Sequence, residues 1–238
     1  MTEFAPDASL TAEAGYWNEL FSKPGFAPRY PSEAVIRWTF RNFPRAAASH
    51  TRLLDLGSGT GRHALFFARE GYQTTAVDFS PVAIKELQSA AKRNGLVIDG
   101  HVAAADDLPF PDNTFDGVLA FGVLYYLPPE AMRKAVTELH RVLKPGGRAF
   151  VMIKSNRDSR VTFAKKMNGH QYHLTATREE ITWPAEVGMT LTLLDRRSVR
   201  SYFSGFKTLS IDRSTVTHLN GRLIDDEWLI FAERNMHD

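Results

Sequence analysis

Apolar positions along the chain fall into short unbroken runs and longer runs spaced three or four apart, and the two kinds alternate. "TRLLDLG" (51–57) and "YQTTAVDFS" (72–80) are short and apolar and reach an acid near their ends, the pattern of strands buried on both faces. Between them "RHALFFAREG" (62–71) has helical spacing and stops at Gly71. Ser80 and Pro81 supply a cap and a first-turn proline for the helix "VAIKELQSAAKRNG" (82–95). Further strands are predicted in "VIDGHVAAA" (97–105), "FDGVLAFGVL" (115–124) and "RAFVMIK" (148–154). The helix "PEAMRKAVTELHRVLKP" (129–145) is expected to close at Gly146 and Gly147. Alternation at this pace predicts an α/β, doubly wound, mostly parallel sheet.

The flanks read differently. Residues 1–14 look loose, "YWNELF" (16–21) gives a short aromatic helix, and "SEAVIRWTFRNF" (32–43) a capped amphipathic one. Residues 155–190 mix basic, aromatic and turn residues without a clean period and read as an insertion or cap. Regularity returns with a helix in "DRRSVRSYFSGF" (195–206) and two strands, "KTLSIDRSTVTH" and "DDEWLIFAER", around the turn "LNGRL", an antiparallel hairpin.

Composition narrows the classes. With 238 residues, one α/β domain and a small cap are expected. Lys and Arg number 29 against 27 Asp and Glu, a net +2 that argues against a nucleic-acid or membrane surface. No apolar run is long enough to span a bilayer and "MTEFAPDASL" lacks the order of a secretory signal, so a cytoplasmic protein, monomer or homodimer, is expected. The absence of cysteine removes thiolate nucleophiles, disulfides and thiolate metal sites.

Candidate chemistry centres on "LLDLGSGTGRH" (53–63), a strand running into a glycine turn and then a helix. Gly57, Gly59 and Gly61 must either reach positive φ or let a ligand lie against bare backbone. Arg62 stands where a dinucleotide fingerprint needs its third glycine. Asp78, 21 residues after Gly57, ends the second strand and could hold a ribose diol.

Taken in order, "LLDLGSGTGRH", "TAVDFSP", "DDLPFPDNTFDGVLAFGVLYYL" and "ELHRVLKPGGRAFVMI" resemble the class I S-adenosylmethionine-dependent methyltransferase family, in its small-molecule branch. The resemblance is strong over roughly residues 50 to 153 and topological beyond. It implies a seven-stranded Rossmann-like sheet, with 49–154 and 191–238 forming the cofactor-binding domain. Residues 1–48 would then form helices over the active site as a lid, and 155–190 would contribute to the acceptor pocket. The glycine turn with Ser58 would seat the methionine part of the cofactor, Asp55 its ammonium, and Asp78 with Phe79 the ribose. Asp106, Asp107 and Leu108 would border adenine, because Ala104 stands where similar proteins often carry an acid. Phe121 to Tyr125 would face the sulfonium.

Arg62 and Arg29, the latter beside Tyr30, are carboxylate candidates, and Tyr16 and Trp17 are aromatic neighbours of the cofactor. Tyr125, Tyr126, His170 and His173 are candidate proton acceptors, needed only if the acceptor atom carries a proton that must leave. His218 is a further candidate proton acceptor, and Tyr172 and Trp183 are further aromatic candidates on the cofactor's open side. Arg157, Arg160, Lys165 and Lys166 read either as attracting an anionic acceptor or as a solvated face. No metal is expected, since His170 and His173 lack a third ligand at a useful spacing. The expected activity is methyl transfer to O, N or S of a small metabolite. Cyclisation or aminocarboxypropyl transfer from the same cofactor, and cofactor binding without catalysis, are the alternatives.

Overall fold

A computed structural model describes residues 8–23, 25–177, 180 and 184–236. In chain order come helices α1 (Ala8–Ser22) and α2 (Glu33–Asn42), strand β1 (Arg52–Leu56), α3 (Arg62–Arg69), β2 (Gln73–Asp78), α4 (Pro81–Arg93), β3 (Asp99–Val102) and β4 (Phe115–Phe121). They are followed by α5 (Pro129–Val142), β5 (Leu143–Lys154), β6 (Ala164–Lys166), β7 (Gln171–Leu174), β8 (Thr190–Thr192), α6 (Arg196–Tyr202), β9 (Thr208–His218) and β10 (Leu223–Glu233). Seven strands form one sheet in the order β3-β2-β1-β4-β5-β10-β9, parallel from β3 to β5, with the antiparallel hairpin β9–β10 at its end. The predicted doubly wound sheet and its hairpin are both present.

Alternation along the central strands divides the core between the two faces of the sheet. On β4, Val118 and Ala120 join the cluster under α5, α6 and the small sheet, while Leu119 joins Val35, Trp38, Phe67 and Phe150 under α2 and α3. The strand order reverses between β1 and β4, which share the register Asp55 to Leu119. A crevice at the carboxyl ends of these strands is where an open α/β sheet binds its ligand.

Four expectations are corrected. The first helix begins at Ala8, so residues 8–14 are helical rather than loose. Gly146 and Gly147 do not end α5: the helix stops at Val142 and both glycines lie inside β5, where the pairing with β4 shifts register. The third strand is only Asp99–Val102. Ser32 precedes α2 but makes no side-chain cap, and its backbone N–H lies 3.4 Å from His63 Nε2 instead. The insertion 155–190 supplies β6, β7 and the first residue of β8, a three-stranded antiparallel sheet. Its period was hidden because only β7 alternates clearly, with Tyr172 and Leu174 inward and Gln171 and His173 less covered.

Candidate active site

The turn after β1 is built by glycines that nothing else could replace. Gly57, Gly59 and Gly61 have φ of 68°, 53° and 90°. A Cβ on Gly57 would lie 2.4 Å from the Val123 side chain, and one on Gly61 would lie 2.6 Å from Leu87. Backbone N–H groups of Gly57 and Ser58 both donate to the Val77 carbonyl, tying the turn to the end of β2.

Two buried carboxylates brace this turn from below. Asp55 Oδ2 accepts from Ala64 N–H at 2.9 Å, holding the first turn of α3. Burial pushes its pKa up to about 7, against the opposing pull of that hydrogen bond and of the Arg62 charge. Asp78 accepts from Gly59 N–H at 2.8 Å and from Ser80 N–H at 3.0 Å, one bond per oxygen. Burial raises its pKa too, with both bonds working in the other direction. Each Asp78 oxygen keeps an acceptor position for a vicinal diol.

Arg62 places its guanidinium 5.5 Å from the centre of the Phe121 ring, and burial lowers its pKa while Asp55, Glu227 and Tyr125 support its charge. His63, the next residue, packs edge-on against Phe121 and is held neutral, its pKa lowered to about 3 by burial and by the Arg62 charge. Phe79 is half-buried at the end of β2.

The segment 106–112 is pinned from α5. Leu108 N–H donates to Glu138 Oε2 at 2.8 Å, and Arg141 donates to the carbonyls of Phe110 at 2.7 Å and Leu108 at 3.1 Å. The Arg141 guanidinium also holds the Glu138 carboxyl below the usual range. Leu108 is buried, Asp106 half-buried and Asp107 exposed. Of the two acids, Asp106 is therefore better placed to border a ligand.

The first helix lies across the top. Asn18 Oδ1 accepts from the Ser80 hydroxyl, and Phe21 is the nearest side chain to the Gly59 turn. Trp17 meets Tyr126 edge-on at 5.0 Å, and the Tyr16 hydroxyl donates to the Ala185 carbonyl at 2.6 Å. The first helix thus joins the glycine turn, the segment after β4 and the insertion.

Tyr125 and Tyr126 head a buried polar network absent from the sequence reading. The Tyr126 hydroxyl donates to Glu186 Oε1 at 2.8 Å, and the Tyr125 hydroxyl lies 2.9 Å from that of Tyr126 and 3.3 Å from Oε1. The other Glu186 oxygen pairs with Arg160 Nε. Arg160 Nη1 in turn reaches Asp158 and Asp225, each at 2.8 Å. Lys154 pairs with Glu227 at 2.8 Å and lies 3.5 Å from Asp225. Burial, and secondarily the Glu186 charge, raise both tyrosine pKa values well above normal, so both phenols keep their protons.

Two sets of candidates move elsewhere. His170 Nε2 pairs with the Ser198 hydroxyl and His173 Nδ1 with the Thr190 hydroxyl, partners in α6 and the small sheet rather than the glycine turn. Arg160, weighed as a solvated or substrate-attracting charge, is buried within the ion network. Lys165, Lys166 and Arg157 are exposed, Tyr172 is core, and His218 pairs with Asp225 at 3.0 Å. Arg29 is exposed and lines a cleft with Arg62, with Tyr30 beside it 75% exposed. Trp183 lies outside the described residues. Among the described residues there is no group of three or more His, Asp or Glu able to hold a metal ion, and no helix long and apolar enough to cross a membrane.

Sheet order, glycine turn and the acid ending β2 together define a class I nucleoside-cofactor fold of the methyltransferase type. Residues 54–151 match the methyltransferase domain family, which makes this segment a methyltransferase domain of the class I S-adenosylmethionine-dependent type. An uncharacterised methyltransferase of Mycobacterium bovis is 32% identical over 140 residues, 59% of this chain and 51% of the relative. The demethylmenaquinone methyltransferase of Thermus thermophilus is 38% identical over 144 residues, 56% of this chain and 63% of the relative. The chain spans about half the length of the first of these curated relatives. Among solved structures, one described under "Conversion of a Disulfide Bond into a Thioacetal Group during Echinomycin Biosynthesis" superposes with a TM-score of 0.68 at 26% identity, covering 96% of this chain and 93% of that one.

Proposed function

We propose that this chain transfers the methyl group of S-adenosylmethionine to N or S of a small-molecule acceptor, and that the acceptor presents a lone pair needing no deprotonation, as a thioether or tertiary amine does. The cofactor, when bound, supplies a methyl group already made electrophilic by its sulfonium. The residues fit it: Asp78 offers acceptor positions to the ribose hydroxyls, Asp55 faces the turn where an ammonium would lie, and the Gly57–Gly61 turn carries only the short side chains of Ser58 and Thr60 between its glycines. Ser58, Gly57 and Gly61 shape that seat, and Phe79, Asp106 and Leu108 border the base. The first helix, with Tyr16 and Trp17, and the insertion act as the lid that excludes water.

The single observation behind the choice of acceptor is the state of the tyrosine pair. Both phenols are bound to Glu186 and keep their protons, and His63 is neutral with Nε2 facing the Ser32 N–H. A protonated phenol cannot take a second proton at neutral pH. The structural neighbour whose description concerns a disulfide and a thioacetal favours sulfur within this class.

Incubation with methyl-labelled S-adenosylmethionine and a metabolite extract, followed by mass analysis, tests the proposal. It predicts S-adenosylhomocysteine and label on a sulfur or nitrogen acceptor, with a rate at saturating cofactor that is flat in pH around neutrality. Label on carbon, as the name of a ubiquinone/menaquinone biosynthesis C-methyltransferase of Geobacter sulfurreducens, 38% identical over 166 residues, would suggest, would reject the acceptor class. Methylthioadenosine would reject methyl transfer itself.

A further inference from the structure

A cleft of about 700 Å³ opens beside the glycine turn, between the α1–α2 connection and the outer faces of α3 and α4. Five cations line it, Lys23, Arg29, Arg62, Arg69 and Arg93, against the single acid Glu86. Arg62, Leu65 and Arg69 form one stripe of α3, and Glu86, Ala90, Arg93 and Asn94 form one stripe of α4, so both helices turn one face to the cleft. Arg62 and Arg69 lie about 10 Å apart along the helix axis.

Inside the protein, Asp55 and Glu227 offset the charge of Arg62, and the other four cations are offset less. Lys23 pairs with Glu19 at the surface, and Arg69 meets the neutral side-chain oxygen of Asn94 at 3.2 Å. Among the described residues, Arg29 and Arg93 have no ion pair or side-chain hydrogen bond. Arginines in the last turns of α3 and α4 complement the helix dipoles, which accounts for Arg69 and Arg93. That does not account for Lys23 and Arg29, which come from the connection. Convergence of like charges from three segments on one concavity focuses their field there and concentrates anions.

We infer that this cleft binds a small polyanion carrying two or more negative charges, at a site separate from the Asp55–Asp78 cradle and adjoining it at Thr60. The concavity suits a compact oligophosphate-like ligand, and the chain's net charge of +2 provides no extended basic face for a polymer.

Calorimetric titration of inorganic triphosphate into the full chain, with and without S-adenosylhomocysteine, tests this inference. One saturable site is expected, weakening as salt is raised. Affinity should fall about tenfold for each of Arg69→Gln and Arg93→Gln, as for the loss of one charge-assisted hydrogen bond. Neither variant should change S-adenosylhomocysteine affinity. Absence of saturable binding, or binding that the double variant leaves unchanged, would overturn the inference. Mutual exclusion of triphosphate and S-adenosylhomocysteine would also overturn it, by assigning the anion to the cofactor cradle. Because the triphosphate titration needs no cofactor, its result stands whether or not S-adenosylhomocysteine binds.

Discussion

Replacing Glu186 with Gln removes one charge from the centre of the buried network while keeping the side chain's shape. The parent carboxylate takes the Tyr126 hydroxyl through one oxygen and Arg160 Nε through the other. An amide can accept only through its oxygen, so either a phenol or the guanidinium loses its partner. Breaking a buried ion pair by removing one member costs about 3–5 kcal/mol. Arg160 keeps Asp158 and Asp225 at 2.8 Å, which places the expected loss near the low end, about 3 kcal/mol. In a chain of this size that corresponds to a fall in melting temperature of roughly 6–12 °C. Thermal unfolding followed by circular dichroism measures it, and Trp17 emission should shift as well, because its ring rests edge-on against Tyr126. Glu180→Gln, an exposed acid of the same insertion, serves as the control and should leave the melting temperature nearly unchanged. If Glu186→Gln melted within about 1 °C of the parent, the network would not be what fixes the tyrosine pair, and the reasoning would fail.

Further expectations follow from the cradle. The Asp55 pKa of about 7 lies above the unfolded value of 3.8, so its contribution to stability is present below that value and lost as pH rises toward 7, by roughly 4 kcal/mol in the unliganded chain. Asp55→Asn should therefore flatten the decline in melting temperature between these pH values, and an unaltered slope would contradict the assignment. A cationic ammonium favours the ionised acid, so cofactor affinity should rise through pH 7 with proton release, measurable calorimetrically in buffers of different ionisation enthalpy. Gly57→Ala meets both a positive φ and Val123, and should lower stability by about 2–3 kcal/mol in a denaturant titration. Truncating Arg141 to Ala frees the Leu108 and Phe110 carbonyls, and S-adenosylhomocysteine affinity should drop severalfold while hydrogen exchange across 106–112 accelerates.

The parallel core was legible because buried strands and amphipathic helices each leave a period, and because Gly57 to Gly61 and Asp78 stand at a fixed spacing. The cradle could be read for the same reason: its residues are local, within one strand–turn–helix unit and the strand that follows. The pairing of Arg160 with Glu186 and Asp225 was missed because these partners lie 26 and 65 residues from it and meet it only through the fold. A buried arginine looks in sequence like any surface arginine. The one available hint was the concentration of charge in "KSNRDSR" and "DDE" next to apolar strands, where paired burial is the way such charges are accommodated. The histidines misled for a related reason, since "GHQYH" places them close in sequence but on the small sheet, with partners in α6 and β8.

The most direct test of the central claim is the affinity of S-adenosylhomocysteine for the parent chain and for Asp78→Ala, measured by calorimetry. One site per chain in the parent and a loss of at least about tenfold in the variant are predicted, since a buried carboxylate holding a diol contributes two charge-assisted hydrogen bonds. Equal affinity in the two proteins would contradict the placement of the ribose, and no binding to the parent would contradict the account of the cradle.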